Sequence, residues 1–83
     1  MKVLITGGAG FIGSNVAAAY IKAKHKVRIL DNLSRSGATH NMRWLNEKYP
    51  GQFEFIEGDI CNKKIVRQAV DGTDVIFHLA AQV

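Results

Sequence analysis

The chain has 83 residues, 47% of them hydrophobic and 22% charged, a balance that excludes a disordered chain and limits the protein to one small folded unit. Its longest apolar stretch, Phe11 to Ile21, is broken by Gly13, Ser14 and Asn15. It falls short of the roughly 20 residues needed to cross a bilayer, so no membrane association is expected. The net charge of +4 raises nucleic acid as a partner, but the cations gather only at Lys22, Lys24, Lys26 and Arg28. Without interleaved aromatics they read as a solvated face at the end of a helix, whose dipole favours cations there, and no nucleic-acid binding is expected. The opening segment Met1 to Thr6 runs directly into glycines with no basic region and cleavage site, so it is not a secretory signal. The single cysteine, Cys61, cannot close an internal disulfide and fits a reducing, cytoplasmic setting.

Lys2 to Thr6 reads as a short buried strand, because Val3, Leu4 and Ile5 are apolar in succession. Gly7 to Gly10 forms a loop. From Phe11 to about Lys24 the pattern becomes helical, with Ile12, Val16, Ala19 and Ala23 on one face. Lys26 to Leu30 is a second strand, followed by a polar loop from Asp31 to Gly37. Thr39 is placed to cap a second helix, in which Met42, Leu45 and Tyr49 recur at helical spacing until Pro50-Gly51 ends it. Trp44 reads as an anchor of this helix against the sheet. Phe53 to Glu57 is a third strand. Asn62 caps a third helix whose Ile65, Ala69 and Val70 face inward, with Gly72 at its C-terminal turn. Asp74 to Leu79 closes the series as a fourth strand.

Strands and helices in strict alternation, with nearly continuous apolar strands, predict an α/β fold in which helices cover both faces of a parallel sheet. Right-handed crossovers leave the doubly wound order 3-2-1-4 as the natural arrangement, a partial Rossmann fold. That order puts a crevice beyond the ends of strands 1 and 4, where the chain reverses direction. The fourth strand runs into Leu79-Ala80-Ala81-Gln82-Val83 and leaves an apolar edge that a complete sheet would pair.

Gly7, Gly10 and Gly13 recur at the G-x-x-G-x-x-G spacing between the first strand and the first helix, the context that gives such a pattern meaning. Gly7 permits a sharp exit from the strand, Gly10 leaves no side chain between backbone and a pyrophosphate, and Gly13 lets the helix press against the sheet. The helix start at Phe11 and Ile12 then offers unpaired N–H groups and a partial positive charge to phosphates. Asp31, at the end of the second strand, is the acid that accepts hydrogen bonds from the adenosine ribose and repels a 2′-phosphate, so NAD rather than NADP is the expected cofactor. Arg35 is the counter-signal, since an arginine there could receive that phosphate. An aspartate at this place also commonly initiates a turn.

With these residues in hand, the chain resembles the extended short-chain dehydrogenase/reductase family, and within it the NAD-dependent nucleotide-sugar epimerases and dehydratases. Four segments carry the resemblance: Thr6 to Asn15, Asp31 to Ser34, Gly58-Asp59-Ile60 and His78 to Ala81. A narrower likeness, through Asp31 to Arg35, Asn41, Trp44, Leu45 and His78 to Val83, is to the CDP-paratose (CDP-tyvelose) 2-epimerase group. Val83 stands where many UDP-galactose 4-epimerases have lysine, which tells against that assignment. The resemblance implies that Asp59 and Ile60 read the adenine, that Leu79, Ala80 and Ala81 line the path from pyrophosphate to nicotinamide, and that Asn32 and Ser34 lie near the adenosine ribose. It also implies transient hydride transfer between a sugar carbon and bound NAD, with a Tyr-x-x-x-Lys pair as proton acceptor far downstream of this segment. The nucleotide-sugar substrate is then a partner only of the longer enzyme. On this reading the chain spans the N-terminal NAD-binding half of a Rossmann domain, lacks the substrate domain, and is inactive alone.

No catalytic residue is assigned within the chain. Tyr20-Ile21-Lys22-Ala23-Lys24 satisfies Tyr-x-x-x-Lys, but it lies at the far end of the first helix, about 15 Å from the phosphate loop at 1.5 Å per residue. His78 reads as a structural strand-end residue and Cys61 as a small side chain at a helix start. His25, His40 and His78 show no metal-ligand spacing, so no metal site is expected. Two alternatives share these motifs: a stand-alone nucleotide-binding module that associates through its fourth-strand edge, and part of a reductase of the same superfamily that is not sugar-directed.

Overall fold

A strand as apolar as Val3-Leu4-Ile5 must be covered on both faces, and this decides the architecture. The computed structural model describes residues 1–80. In it β1 (Lys2–Thr6) is flanked by β2 (Lys26–Asp31) and β4 (Val75–His78), with β3 (Phe53–Glu57) outside β2. All pairs are parallel and the order is β3-β2-β1-β4, as the alternation predicts. Between the strands run α1 (Phe11–Lys22), α2 (Ala38–Lys48) and α3 (Lys63–Val70). No helix among the described residues is long and apolar enough to cross a membrane.

The two faces of the sheet bury different helices. Val3, Ile5, Val27 and Ile29 meet Ala17 and Ile21 of α1 and Leu45 of α2. On the opposite face Leu4 and Leu30 meet Ala69 of α3, with Ile56, Ile60, Ile65 and Val66 packed around them. Each fully buried Leu or Ile contributes about 1.5–3 kcal/mol. The switch from the first face to the second comes between β3 and β4, so the crevice opens beyond the C-terminal ends of β1 and β4.

The phase of α1 differs from the expected one. Its buried residues are Gly13, Ser14, Ala17 and Ile21, whereas Ile12 is 67% exposed, Ala19 is exposed and Val16 only half-buried. The cause is Gly13. A Cβ there would overlap the Gly7 carbonyl oxygen and meet Gly8 Cα at 2.7 Å, so this position must face the strand exit. Positions four and eight residues later follow it inward, at one helical period. The helix also ends earlier than expected: Ala23 is its C-cap, and Lys24 takes a left-handed φ of 70° beyond it.

In α2 the N-cap is Gly37, not Thr39, and no side chain caps it. Leu45 is buried as expected, whereas Trp44 is exposed and lies under the Lys48 ammonium, 5.3 Å from the ring centroid, rather than against the sheet. In α3 the Asn62 side chain accepts from the Lys64 and Ile65 amides, the expected cap. Val70 is exposed, and Val66 packs in its place.

Arg28 also departs from the solvated-face reading. Its Nη1 donates to the carbonyl oxygens of Ala69 and Asp71, both at 2.8 Å, closing the end of α3. Its Nε donates to Glu54 Oε2 at 2.9 Å, directly across from it in register. Lys2 Nζ reaches the other oxygen of the same carboxylate at 2.9 Å. The Lys2 hydrogen bond first, and the Arg28 bond next, hold the Glu54 carboxyl below the ordinary carboxylate value.

Because its pKa is lowered on folding, Glu54 contributes stability above the unfolded value of about 4.3 and loses it as pH falls through the folded value. With the side chain 55% exposed, solvent limits the two pairs to about 1 kcal/mol or less. Glu54→Gln should therefore lower stability slightly at pH 7, with the gap from the parent closing toward pH 3, as read by urea unfolding across that range. Gly13→Ala should cost more, about 2–3 kcal/mol, because the methyl meets backbone that cannot yield. Gly51→Asn should cost a few tenths at most, since nothing lies within 4 Å of a Cβ there and Asn tolerates a left-handed φ. Equal losses at Gly13 and Gly51 would refute the packing argument.

Candidate functional site

β1 ends at Thr6 and the chain must turn at once to start α1 above it. Gly7 makes the turn with a φ of 75°, and its N–H donates to the Leu30 carbonyl at 2.8 Å, tying the loop to β2. A Cβ on Gly7 would lie 2.8 Å from the Ala80 nitrogen, so the segment leaving β4 passes directly over it. Gly8, outside the expected glycine set, is buried against Ile29: a Cβ would sit 2.5 Å from that side chain. Gly10 is extended, carries no side-chain cap, and accepts the Ser14 amide at 2.9 Å as the first turn of α1. The amides of Phe11, Ile12 and Gly13 precede any acceptor within the helix and open at its positive end.

These amides face a cleft of about 800 Å³. Gly7, Gly10, Phe11, Ile12 and Gly13 form one wall. Asp31, Asn32 and Ser34 form the second, together with Arg35 and Ser36. Asp59 and Ile60 lie beside Gly58 on the third, and Leu79 and Ala80 close the fourth. The chain thus brings together, from four separate segments, every expected cofactor residue except Ala81, which lies outside the described residues.

The local chemistry of each wall is distinct. Asp31 Oδ1 accepts the Leu33 amide at 2.7 Å, the turn-initiating role, while Oδ2 accepts the Ala9 amide of the glycine loop at 3.0 Å. Leu33 sits at a left-handed φ of 59°, a conformation that costs a non-glycine residue and that the Asp31 bond sustains. Asn32 Oδ1 accepts the Ser34 amide at 3.1 Å, so both residues project from a tightly folded polar turn. Asp59 Oδ1 accepts the Cys61 amide at 2.8 Å, and the Asp59 carbonyl accepts the Asn62 amide, shaping the approach to α3. Phe11 is 77% exposed at the start of α1.

Two contributors to the shape of the site lie outside the expected cofactor set. Thr6 is buried under the strand ends, where its Oγ1 lies 2.7 Å from His78 Nδ1 and accepts from the Ala80 amide at 3.4 Å. It fastens β4 to β1 at the cleft floor, and His78 takes the strand-end place expected of it without lining the cleft. Asn41 of α2 donates from Nδ2 to the Ala9 carbonyl at 2.9 Å. Tyr20 packs near Phe77 and His25 and does not line the cleft, and Lys24 lies past the helix end, so the two do not share a helical face. Among the described residues no three metal-ligating side chains come together.

An NAD-sized dinucleotide fits this donor set. Unpaired amides at a helix start suit a pyrophosphate and a carboxylate at a strand end suits a ribose diol, while Gly7 and Gly13 allow the close backbone packing that shapes the loop, since a Cβ at either would strike backbone. Residues 4–83 match the GDP-mannose 4,6 dehydratase family. The whole chain is 48% identical to the CDP-paratose 2-epimerase of Salmonella typhi and covers 25% of that protein. It is 38% identical over 96% of its length to a 3 beta-hydroxysteroid dehydrogenase/Delta 5-->4-isomerase of Mycobacterium tuberculosis, of which it covers 19%. In structure it superposes on the dTDP-glucose 4,6-dehydratase of Bacillus anthracis in complex with NAD, with a TM-score of 0.84 at 30% identity, over 99% of this chain and 27% of that one. The chain therefore spans about a quarter or less of these relatives, and it belongs to the GDP-mannose 4,6 dehydratase family of epimerases and dehydratases.

Proposed function

We propose that the chain is the N-terminal NAD-binding half of the Rossmann domain of a nucleotide-sugar epimerase or dehydratase, acting in the cytoplasm, and that it does not turn over substrate alone. The observation that carries this reading is the convergence of the free amides at Phe11 to Gly13 with the Asp31 carboxylate across one cleft. When bound, NAD supplies a reversible hydride acceptor for the sugar carbon. The residues of this chain bind and orient it. Phe11, Ile12 and Gly13 hold the pyrophosphate through backbone amides, with Gly7 and Gly10 shaping their loop. Asp31, Asn32 and Ser34 surround the adenosine ribose, Asp59 and Ile60 read the adenine, and Leu79, Ala80 and Ala81 border the route to the nicotinamide. Likeness to the CDP-paratose 2-epimerase favours a nucleotide sugar as substrate of the longer protein.

Likeness to the steroid dehydrogenase favours a second reading, a reductase with a different substrate. Both readings use the same cofactor cleft and separate only where substrate binds. A further possibility concerns assembly: Ile76 is 47% and Leu79 40% exposed beside the outer edge of β4, a surface suited to pairing with a second copy. Sedimentation of the chain at increasing concentration should show a dimer if that edge pairs, and a strict monomer rules the pairing out.

Calorimetric titration with NAD and NADP decides the cofactor. NAD should bind and NADP should bind at least about tenfold more weakly, since the 2′-phosphate would meet the Asp31 carboxylate. Asp31→Ala should lose about 1–3 kcal/mol of NAD affinity, the range for hydrogen bonds to a charged group. Equal affinity of the parent for both nucleotides would sink the assigned role of Asp31, and sugar epimerisation by the 83-residue chain would overturn its proposed inactivity.

A further inference from the structure

We propose that Asn41 is a positioning residue for the phosphate-binding loop, acting together with Asp31 through the backbone of Ala9; the inference rests on the nucleotide-binding reading of the cleft. Ala9 has no exposed surface. Its N–H donates to Asp31 Oδ2 at 3.0 Å, and its carbonyl accepts from Asn41 Nδ2 at 2.9 Å. The next amide, Gly10 N–H, donates to the Gly7 carbonyl at 3.0 Å. The peptide plane before Ala9 is therefore held by Asp31, and the plane after it is held at both ends, by Asn41 and by Gly7. The φ and ψ of Ala9 are the torsions between those two planes, so neither turns without breaking a bond.

The direction of the second plane sets the entry of the chain into α1, and hence where the amides of Phe11, Ile12 and Gly13 point. The partners come from far away in sequence, 22 residues on for Asp31 and 32 for Asn41, so the loop's shape is imposed by β2 and α2 rather than by its own residues. Asn41 has no local reason to be where it is. Asparagine is a weak helix former away from the caps, yet this one occupies the fourth position of α2 and is half-buried with its amide turned to the loop. The chemistry requires an amide: a carboxylate at the same place would set oxygen against the Ala9 carbonyl, and a hydrocarbon would leave that carbonyl without its donor.

Asn41→Leu and Asn41→Asp both remove the donor at nearly constant volume, and Arg43→Ala, on an exposed position of the same helix, serves as the control. In the ligand-free chain, hydrogen exchange of the Ala9 and Gly10 amides should speed up about tenfold or more in both Asn41 variants, while Ile5 and Ile29 in the sheet exchange as in the parent. The NAD dissociation constant should rise about three- to tenfold, as for one lost hydrogen bond, while adenosine, which has no phosphate, binds as to the parent. Arg43→Ala should match the parent in every measurement. Unchanged loop amides, equal acceleration across the sheet, or equal loss of adenosine and NAD affinity overturns the proposal. Should the loop amides speed up as expected while the parent takes up no NAD, the clamp on Ala9 stands and the nucleotide reading is the one that falls.

Discussion

The contact between the first turn of α1 and the glycine loop constrains everything else in this chain. Gly13 sits where any side chain would strike the Gly7 carbonyl, and that closeness has two results at once. It rotates α1 so that Ala17 and Ile21 enter the core, and it brings the helix start low enough for its unpaired amides to face the cleft instead of passing above it. Packing and binding are here the same geometric fact. A looser junction would leave a small domain with a poorer core, and would also scatter the donors that a pyrophosphate needs in one place.

The acid at the end of β2 shows how such a junction is held. A helix start accumulates partial positive charge, and a nearby carboxylate is favourable even before a ligand arrives. Asp31 uses one oxygen to sustain the strained turn at Leu33 and the other to fix the Ala9 amide, while its position still borders the cleft. Each carboxylate oxygen has a second lone pair, so structural bonds and ribose hydroxyls can share the group. The turn-initiating reading and the ribose-binding reading of this residue are therefore compatible.

Much of this was legible in the chain itself, for identifiable reasons. The strand order follows from alternating elements and handed crossovers, and β1, β3 and the Asn62 cap come directly from residue type. The cleft was legible because three glycines at fixed spacing and one acid after the second strand are hard to explain otherwise. What was not legible depended on contacts distant in sequence. The phase of α1 followed a residue with no side chain rather than the bulky Ile12. Arg28 looked like one cation of a surface run, but its partners are Glu54 and the end of α3. Trp44 looked like an anchor because of its size, yet its neighbour Leu45 holds the buried position. Thr6 and Asn41 lie in segments that carry the resemblance, but their structural roles depend on His78 and Ala9, which only the fold brings to them.

The two faces of the sheet are not equally covered. The glycine loop and Asp31 belong to the face where α1 and α2 together cover the sheet, with seven residues buried in one cluster. The opposite face has three residues in its buried cluster, because a single helix among the described residues covers it. Leu79 and Ala80 complete the cleft from β4, whose neighbour β1 holds it through the strand ladder and the Thr6 hydroxyl.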